Sequence, residues 1–517
     1  MNEYKPNKWL VGLSVIIGAF MGVMDVSVVN VALPSMMGSF GQNLSAITWV
    51  ATSYSIAAVI MMTMSGWWST LMGRKNFYLL SFVIFTIGSI LAGMSHTFPE
   101  MIVCRILQGI GGGSLVPLAQ AILRESFGKK EQGMAMAIFS MGVVVAPAIG
   151  PVLGGWLTDH YGWAWIFYIN IPVSLVGILM VNAFVQDPPY LRRGVKKIDI
   201  LGILLLTVGL TGLQIFLERG QEESWFDSSL IVWTAIITFS SLLFFVFWEL
   251  SVSEPIVNLK IFKNRQFQMG TVVVILFGVA LYGTTFILPQ FTQQLLNYPA
   301  YQAGLVLMPR AVALMCALPI VGKLYNYIDP RRLIIFGIAV VSVAYFQLAH
   351  LATTAAQGNI IPILLIMGAG MPFIFVSLST VSLSSMEKEN MTSASGLFNL
   401  FQQVGGNIGY AVMATVLERN TQIHHAYLAE HINAYNFDFT NFYHKTVAYF
   451  YHQGMSLGNA KDATMGMLNN LVTQQAGMMA YDDISIFLMV MFLVCVPFVL
   501  LIPVQKVRFE TSIAVEM

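Results

Sequence analysis

Apolar runs long enough to cross a membrane recur from one end of the chain to the other, separated by short polar or basic segments. Fourteen such runs lie at roughly 10–33, 47–69, 78–95, 99–123, 133–157, 166–185, 200–217, 229–249, 269–290, 303–321, 333–351, 360–381, 394–417 and 484–503. None shows the period-two alternation of a membrane barrel. Each is therefore expected to be a helix, because a helix satisfies its own backbone in lipid and an isolated strand does not. The pattern predicts an all-α membrane protein with 14 transmembrane helices.

Landmarks repeat along this pattern. Pro34 closes span 1 and Pro289 nearly closes span 9, 255 residues on; Gly66 and Gly322, after spans 2 and 10, are 256 apart. Gly150 and Gly154 in span 5 correspond to Gly405 and Gly409 in span 13, again at 255. The offset predicts two six-helix bundles, residues 1–185 and 266–517, joined by two linker helices with flanking loops in 186–265. A 65-residue stretch, Glu418–Asp482, is expected as a long external loop; it holds five of the eight histidines and segments that read as amphipathic, such as "NFYHKTVAYFYHQ" and "ATMGMLNNLV".

Charge orients the pattern. With the N-terminus inside, inner segments hold 20 of the 26 basic residues, and only Arg219, Arg419, Lys445 and Lys461 fall outside. That bias predicts both termini in the cytoplasm. Composition agrees: 56% of the 517 residues are apolar and 10% charged, against ~25% charged in soluble domains. The 26 basic and 25 acidic residues nearly cancel, so no nucleic-acid footprint exists. Three scattered cysteines without His partners indicate neither a disulfide framework nor a metal site. No GxxxxGK[ST] is present, so ATP is not the expected energy source, and no bound cofactor is expected.

The candidate chemistry starts from charges inside the spans. Asp25 stands in "FMGVMDVSVVNVALP", and a lone carboxylate at mid-bilayer costs ~2.5–3.5 kcal/mol or more. Arg105, in the span 4 segment "RILQGIGGGS", enters from the other side. At ~1.5 Å per residue both lie ~21–22 Å from the inner face. They can pair there, which would make Asp25 tolerable and its proton affinity tunable. Two readings stay open: a proton-coupling pair, or a permanent lock between helices. Asn30, Met21, Met24, Tyr54, Gln108, Phe139 and Tyr282 are candidates to line a substrate cavity. Arg310, in "LMPRAVALM", either faces that cavity and meets an anionic group or snorkels outward. In "GVVVAPAIGPVLGGW", Pro147, Gly150, Pro151, Gly154 and Gly155 suit a hinge or a tight seam between the halves. The segment "GWWSTLMGRK" is expected to leave span 2 as an inner loop, with Gly66, Gly73, Arg74 and Lys75 as a gate latch or as a topology signal alone.

Taken together, "MDVSVVNVALP", "RILQGIGGG", "GPVLGGW", "WAWIFYINIPV" and the fourteen-span plan resemble the fourteen-helix drug:proton antiporters of the major facilitator superfamily, especially the EmrB-like branch. The resemblance covers nearly the whole chain. It implies the major facilitator fold, residence in the bacterial inner membrane, and proton-driven export of toxic small molecules by alternating access. It implies proton coupling at Asp25 and Arg105, an antiporter signature in span 5, and partnership with a periplasmic adaptor and an outer-membrane channel. Thr70, Ala164 and Ala146 depart from the residues usual at their places. A carrier of one specific solute, such as a siderophore or metabolite, is the alternative on the same scaffold. A respiratory proton-pumping subunit would need mid-span lysines that the chain lacks.

Overall fold

A computed structural model describes residues 7–128, 131–188, 198–351, 357–433 and 435–503. Several residues that carried the orientation argument lie outside the described residues: Lys5, Lys129, Lys130, Arg192, Arg193, Lys196, Lys197, Lys506 and Arg508.

The first half contains α1 (Lys8–Phe40), the short α2 (Leu44–Ile47), α3 (Trp49–Met72), α4 (Arg74–Gly93), α5 (Phe98–Ser126), α6 (Gln132–Tyr161), the short α7 (Trp165–Tyr168) and α8 (Asn170–Phe184). Two helices follow, α9 (Ile200–Arg219) and α10 (Ser229–Ser251). The second half contains α11 (Arg265–Gln290), α12 (Ala300–Leu324), α13 (Pro330–Leu348), α14 (Gln357–Ser384), α15 (Met391–Glu430), α16 (Phe437–His452) and α17 (Leu457–Leu501). Helix starts follow local chemistry. Thr97 and Glu100 form a capping box on α5 with Pro99 in its first turn, and Asn264 and Asp329 cap α11 and α13.

Thirteen of these helices are long and apolar enough to cross a membrane by length and composition. The one expected span not among them, 394–417, forms α15, a 40-residue helix whose Gln402, Gln403, Asn407 and Asn420 lower its hydropathy. A polar spanning helix is stable where neighbours satisfy its side chains.

The sequence repeat appears as a packing repeat. In the first half α1 packs on α6, α5 and α8, and α4 and α3 pack on α5. In the second, α11 packs on α15, α14 and α17, and α13 and α12 pack on α14 in the same relation. Gly150 and Gly154 let α6 close on Met24, Ser27 and Val28 of α1, and Gly405 and Gly409 let α15 close on Ile275 and Val279 of α11. The span 5 seam therefore lies within a half, against α1, rather than between the halves. The residues that join the halves are elsewhere, at Gly133–Gly322 between α6 and α12 and at Gly66–Ser393 between α3 and α15.

Three expectations are corrected. Pro34 does not close its span: it lies inside α1, which runs on to Phe40 and stops at the left-handed Gly41 (φ 62°). A proline removes only one backbone donor, and apolar neighbours on both sides carry the helix through. Pro289 stands one residue before the end of α11 and so nearly closes it, as expected. The segment after span 2 is not a loop. It is the last turns of α3, and the reversal into α4 is made by Gly73 alone (φ 86°), a conformation that costs glycine little. Residues 418–482 are not a loop either: α15 continues through them to Glu430, α16 is their amphipathic middle, and α17 begins at Leu457.

Helix ends carrying Lys8, Arg74, Lys75, Arg124, Lys323, Arg331 and Lys388 gather on one face of the bundle, called here the basic face; Arg219, Arg419, Lys445 and Lys461 lie toward the opposite one. The side-chain hydrogen bonds between the two bundles lie toward the basic face. Arg124 donates to Ser379 O and Thr380 O at 3.2 and 3.1 Å, Asn399 donates to Gln120 at 2.7 Å, and Arg74 donates to Lys388 O at 2.8 Å. Toward the opposite face it is α9 that touches both halves. Arg219 holds Ser45 O at 2.5 Å on one side, and Gln214 accepts from Asn407 at 2.7 Å on the other.

Candidate functional site: a buried carboxylate–guanidinium pair

Asp25 is half-way along α1 and Arg105 two turns into α5, and the structure brings them together. Arg105 Nη1 donates to Asp25 Oδ2 at 2.5 Å, with the residues 0% and 2% exposed. The common depth inferred from span counting is thus a contact. Arg105 Nε donates to Val50 O in α3 at 2.9 Å. Its guanidinium lies 4.3 Å from the ring centroid of Tyr54 and 5.7 Å from that of Phe167, a desolvated cation between two aromatic faces.

Gln108 sits one turn beyond Arg105 on the same face of α5. It accepts from Arg105 Nη1 at 2.7 Å and donates to Asp25 Oδ1 at 2.8 Å. Asn170, at the start of α8, donates to the same Oδ1 at 3.2 Å and to Ser89 Oγ of α4 at 3.0 Å. The carboxylate thus has three N–H donors, and five helices of the first half converge on it. Two charges out of water are tolerable when paired and hydrogen-bonded in this way. One donor, Arg105 Nη2, is buried without a hydrogen-bond partner among the described residues.

The other candidates fall into distinct places. Tyr54 belongs to the pair's surroundings, its hydroxyl donating to Gly22 O at 3.0 Å. Met21, Met24 and Phe139 are 0–3% exposed and packed in the apolar core; they do not line open space in this conformation. Asn30 is exposed and more than a turn from Asp25 on α1. Tyr282, half-buried, stands in the second half on Tyr410 with its hydroxyl 3.4 Å from Gln403 Oε1. Arg310 is half-buried on α12 near the Tyr345 hydroxyl, which meets Thr284; among the described residues no ion pair engages its guanidinium. Pro147 and Pro151 are interior to α6, and Gly155 makes only an ordinary contact with Val31.

The basic-face group is more tightly joined than a topology signal requires. Arg74 is 1% exposed, ion-paired with Glu125 of α5, and it reaches Lys388 O across the halves. Lys75 takes Asp187 at its backbone N–H (2.9 Å) and donates from Nζ to Asn182 O (2.6 Å), so it ties α4 to the end of α8. A Cβ on Gly66 would lie 2.0 Å from Ser393 Oγ, so this glycine is required by the contact between the halves.

Sequence reasoning passed over Asn170, Ser89 and Arg124. Asn170 had a visible signal, a lone amide in the apolar run "WIFYINIPVSL". Arg124 had none, since a basic residue at a span end is expected for orientation alone.

The family model of the Major Facilitator Superfamily matches residues 15–410. The chain belongs to the major facilitator superfamily. It is 31% identical over 489 residues to the multidrug export protein EmrB of Escherichia coli K12, covering 94% of each chain. It is 32% identical over 506 residues to the fatty acid resistance protein FarB of Neisseria gonorrhoeae, covering 96% of this chain and 97% of that one. Among solved structures, a double-tryptophan variant of the transporter XylE superposes with a TM-score of 0.62 at 14% identity over 96% of both chains. The human organic anion transporter MFSD10 gives 0.61 at 13% identity over 94% of this chain. At those identities the structural likeness bears on the fold alone. As a superfamily member related to multidrug export proteins, the protein is a multi-pass membrane transporter of small molecules.

Proposed function

We propose that the protein is a proton-driven exporter of hydrophobic or amphipathic toxic molecules, working by alternating access in a bacterial inner membrane with its basic face and both termini in the cytoplasm. The observation that carries this reading is the Asp25–Arg105 pair with Gln108 bridging it. Protonation of Asp25 would cancel the charge that holds Arg105, yet Arg105 would keep an acceptor in Gln108 Oε1. The pair can therefore open without stranding a bare cation. In the conformation described, the halves meet at the basic face and the pair is sealed. Release of the proton to the cytoplasm and opening of that face would go together, with the Arg74, Arg124 and Gly66 contacts broken in the same step. The relatives named for multidrug export support the cargo class.

The sharpest test is dye efflux from everted vesicles carrying Asp25→Asn. Loss of ΔpH-driven efflux, with dye counterflow retained, is expected. Undiminished proton-driven efflux would remove Asp25 from the mechanism.

One observation favours a narrower cargo. Arg310 is a cation at membrane depth in the second half with no ion pair among the described residues, and a relative is named for fatty acid resistance. An amphipathic anion would supply the missing counter-charge.

The extended helices suit an external partner. α15 and α17 have 40 and 45 residues, ~60 and ~68 Å at 1.5 Å per residue, against a ~30 Å hydrocarbon core. With α16 they build a pier on the face opposite the basic one, with Phe437, Tyr449 and Tyr451 exposed. We assign this pier to a periplasmic adaptor leading to an outer-membrane channel.

A further inference from the structure

Between the pier and the second half lies an open cleft of about 840 Å³ that is not part of the Asp25–Arg105 site. One wall is the tip of the second half's first helix. There α11 passes into a π-helical turn, Phe291–Leu295, closed by the Leu296 N–H on Phe291 O at 3.1 Å and followed by Asn297 in a left-handed conformation (φ 55°). A π turn is a poorer helix than the α form, and segments of this kind concentrate at functional sites. The opposite walls are α15 at Leu417 and Thr421, and α17 from Ala463 to Tyr481. Gln474 of α17 donates to Leu295 O at 3.3 Å and so fastens the π turn to the pier.

The lining decides the ligand class. It combines amides (Gln294, Asn297, Asn470) and hydroxyls with apolar groups such as Met467 and Leu471, and it includes no charged side chain. Neutral donors and acceptors spaced among soft apolar walls match molecules with both polar and apolar parts, and they offer nothing to neutralise an ion. The volume falls in the ~300–1,000 Å³ range of small-molecule sites.

We propose that this cavity is a binding site for an uncharged amphipathic small molecule, distinct from the site in the bundle and carried wholly by the second half and its pier. The ligand class falls within the broad export reading, hydrophobic or amphipathic molecules, on which it rests, and is separate from the anion assigned to Arg310. The site itself does not require Asp25 or proton coupling, so the two stand or fall separately.

Two photoprobes that share a benzophenone and carry a neutral or a cationic head group test it: 4-benzoylbenzyl alcohol and 4-benzoylbenzyl-trimethylammonium, each cross-linked to the full-length protein in nanodiscs and mapped by peptide mass spectrometry. The alcohol is expected to label peptides covering 291–297 and 463–481. A Cβ on Gly466 would meet nothing within 4 Å, so Gly466→Trp fills the cavity without a clash, and Gly466→Leu fills it in part. Labelling by the alcohol is expected to fall about tenfold in the first and less in the second. Gly458→Trp, on the same helix, equally unobstructed and outside the lining, is expected to leave labelling unchanged. Labelling that survives Gly466→Trp, or falls as much in Gly458→Trp, would overturn the site. Equal labelling by the cationic probe would overturn the ligand class. Asp25→Asn is expected to keep the labelling while losing efflux; retained efflux with retained labelling would count against the export reading alone, and lost labelling would overturn the independence of this site from Asp25.

Discussion

The two halves of the bundle pack alike and are chemically different. In the first half, α1 and α5 bring Asp25 and Arg105 together among Gln108 and Asn170, and the guanidinium lies between aromatic rings. In the second half, the equivalent helices α11 and α14 carry no charge at that depth. α11 offers Thr284 to the hydroxyl of Tyr345, and Arg310, a cation inside the α12 span, has no ion pair among the described residues. The glycine contacts that set helix spacing are kept in both, Gly154 on Val28 and Gly409 on Val279. Backbone geometry is thus common to the halves, while the charge pair is confined to one. This division is what the proposed mechanism needs, with the proton handled in one half and the cargo met in the other.

The largest effect should come from breaking the pair from its basic side. Arg105→Met leaves Asp25 buried with amide donors only, and removing one member of a buried pair costs about 3–5 kcal/mol. Its counterpart Arg310→Met has no partner to strand. A marked fall in the heat resistance of the detergent-purified protein is expected for the first and little change for the second, read by size-exclusion after heating. Similar losses at both would erase the contrast between the halves.

Next in size is a test of the shared backbone. A Cβ at Gly409 would lie 2.4 Å from Val279 O, and at Gly154 3.0 Å from Val28 O, while at Gly155 the nearest atom is 3.7 Å away. Gly409→Val and Gly154→Val should each cost about 1–3 kcal/mol through overpacking, and Gly155→Ala should cost little. The same heating assay reads all three. A harmless Gly409→Val would show that the second half does not depend on the seam it shares with the first.

A smaller effect sharpens the assignment of cargo to the second half. Arg310→Gln should lower export of amphipathic anions severalfold, about 1 kcal/mol in transition-state terms, and leave permanently cationic dyes near the parent rate. Equal losses for both classes would give Arg310 a structural role.

The smallest effect lies at the surface. Lys8 at 2.5 Å holds the Glu131 carboxyl below its ordinary range, chiefly through their hydrogen bond. A lowered value contributes stability above the ordinary carboxylate range, which is lost as pH falls through the lowered one. Both groups are well exposed, so solvent screens the pair. Glu131→Gln should lower stability slightly at neutral pH and leave it unchanged at acid pH, where the carboxyl is already protonated, so that the acidic limb of the stability profile flattens. A large change at neutral pH would mean that the first half leans on this contact far more than its exposure allows.

The sequence by itself determined the membrane class, the helix count and the two-fold repeat, because lipid admits only long apolar helices and a duplicated packing plan leaves its glycines at a constant offset. It also supplied both members of the buried pair, since charges in apolar runs are few and depth along a helix is fixed by its rise. Tertiary structure alone decided what surrounds them. Asn170 reaches Asp25 across 145 residues, and Arg124 looks like any basic span end until Ser379 and Thr380 are placed beside it. Helix ends escaped the sequence as well: the pier reads as a polar loop, and α15 and α17 persist through it because they pack on each other, beyond the membrane that set the length of every other span.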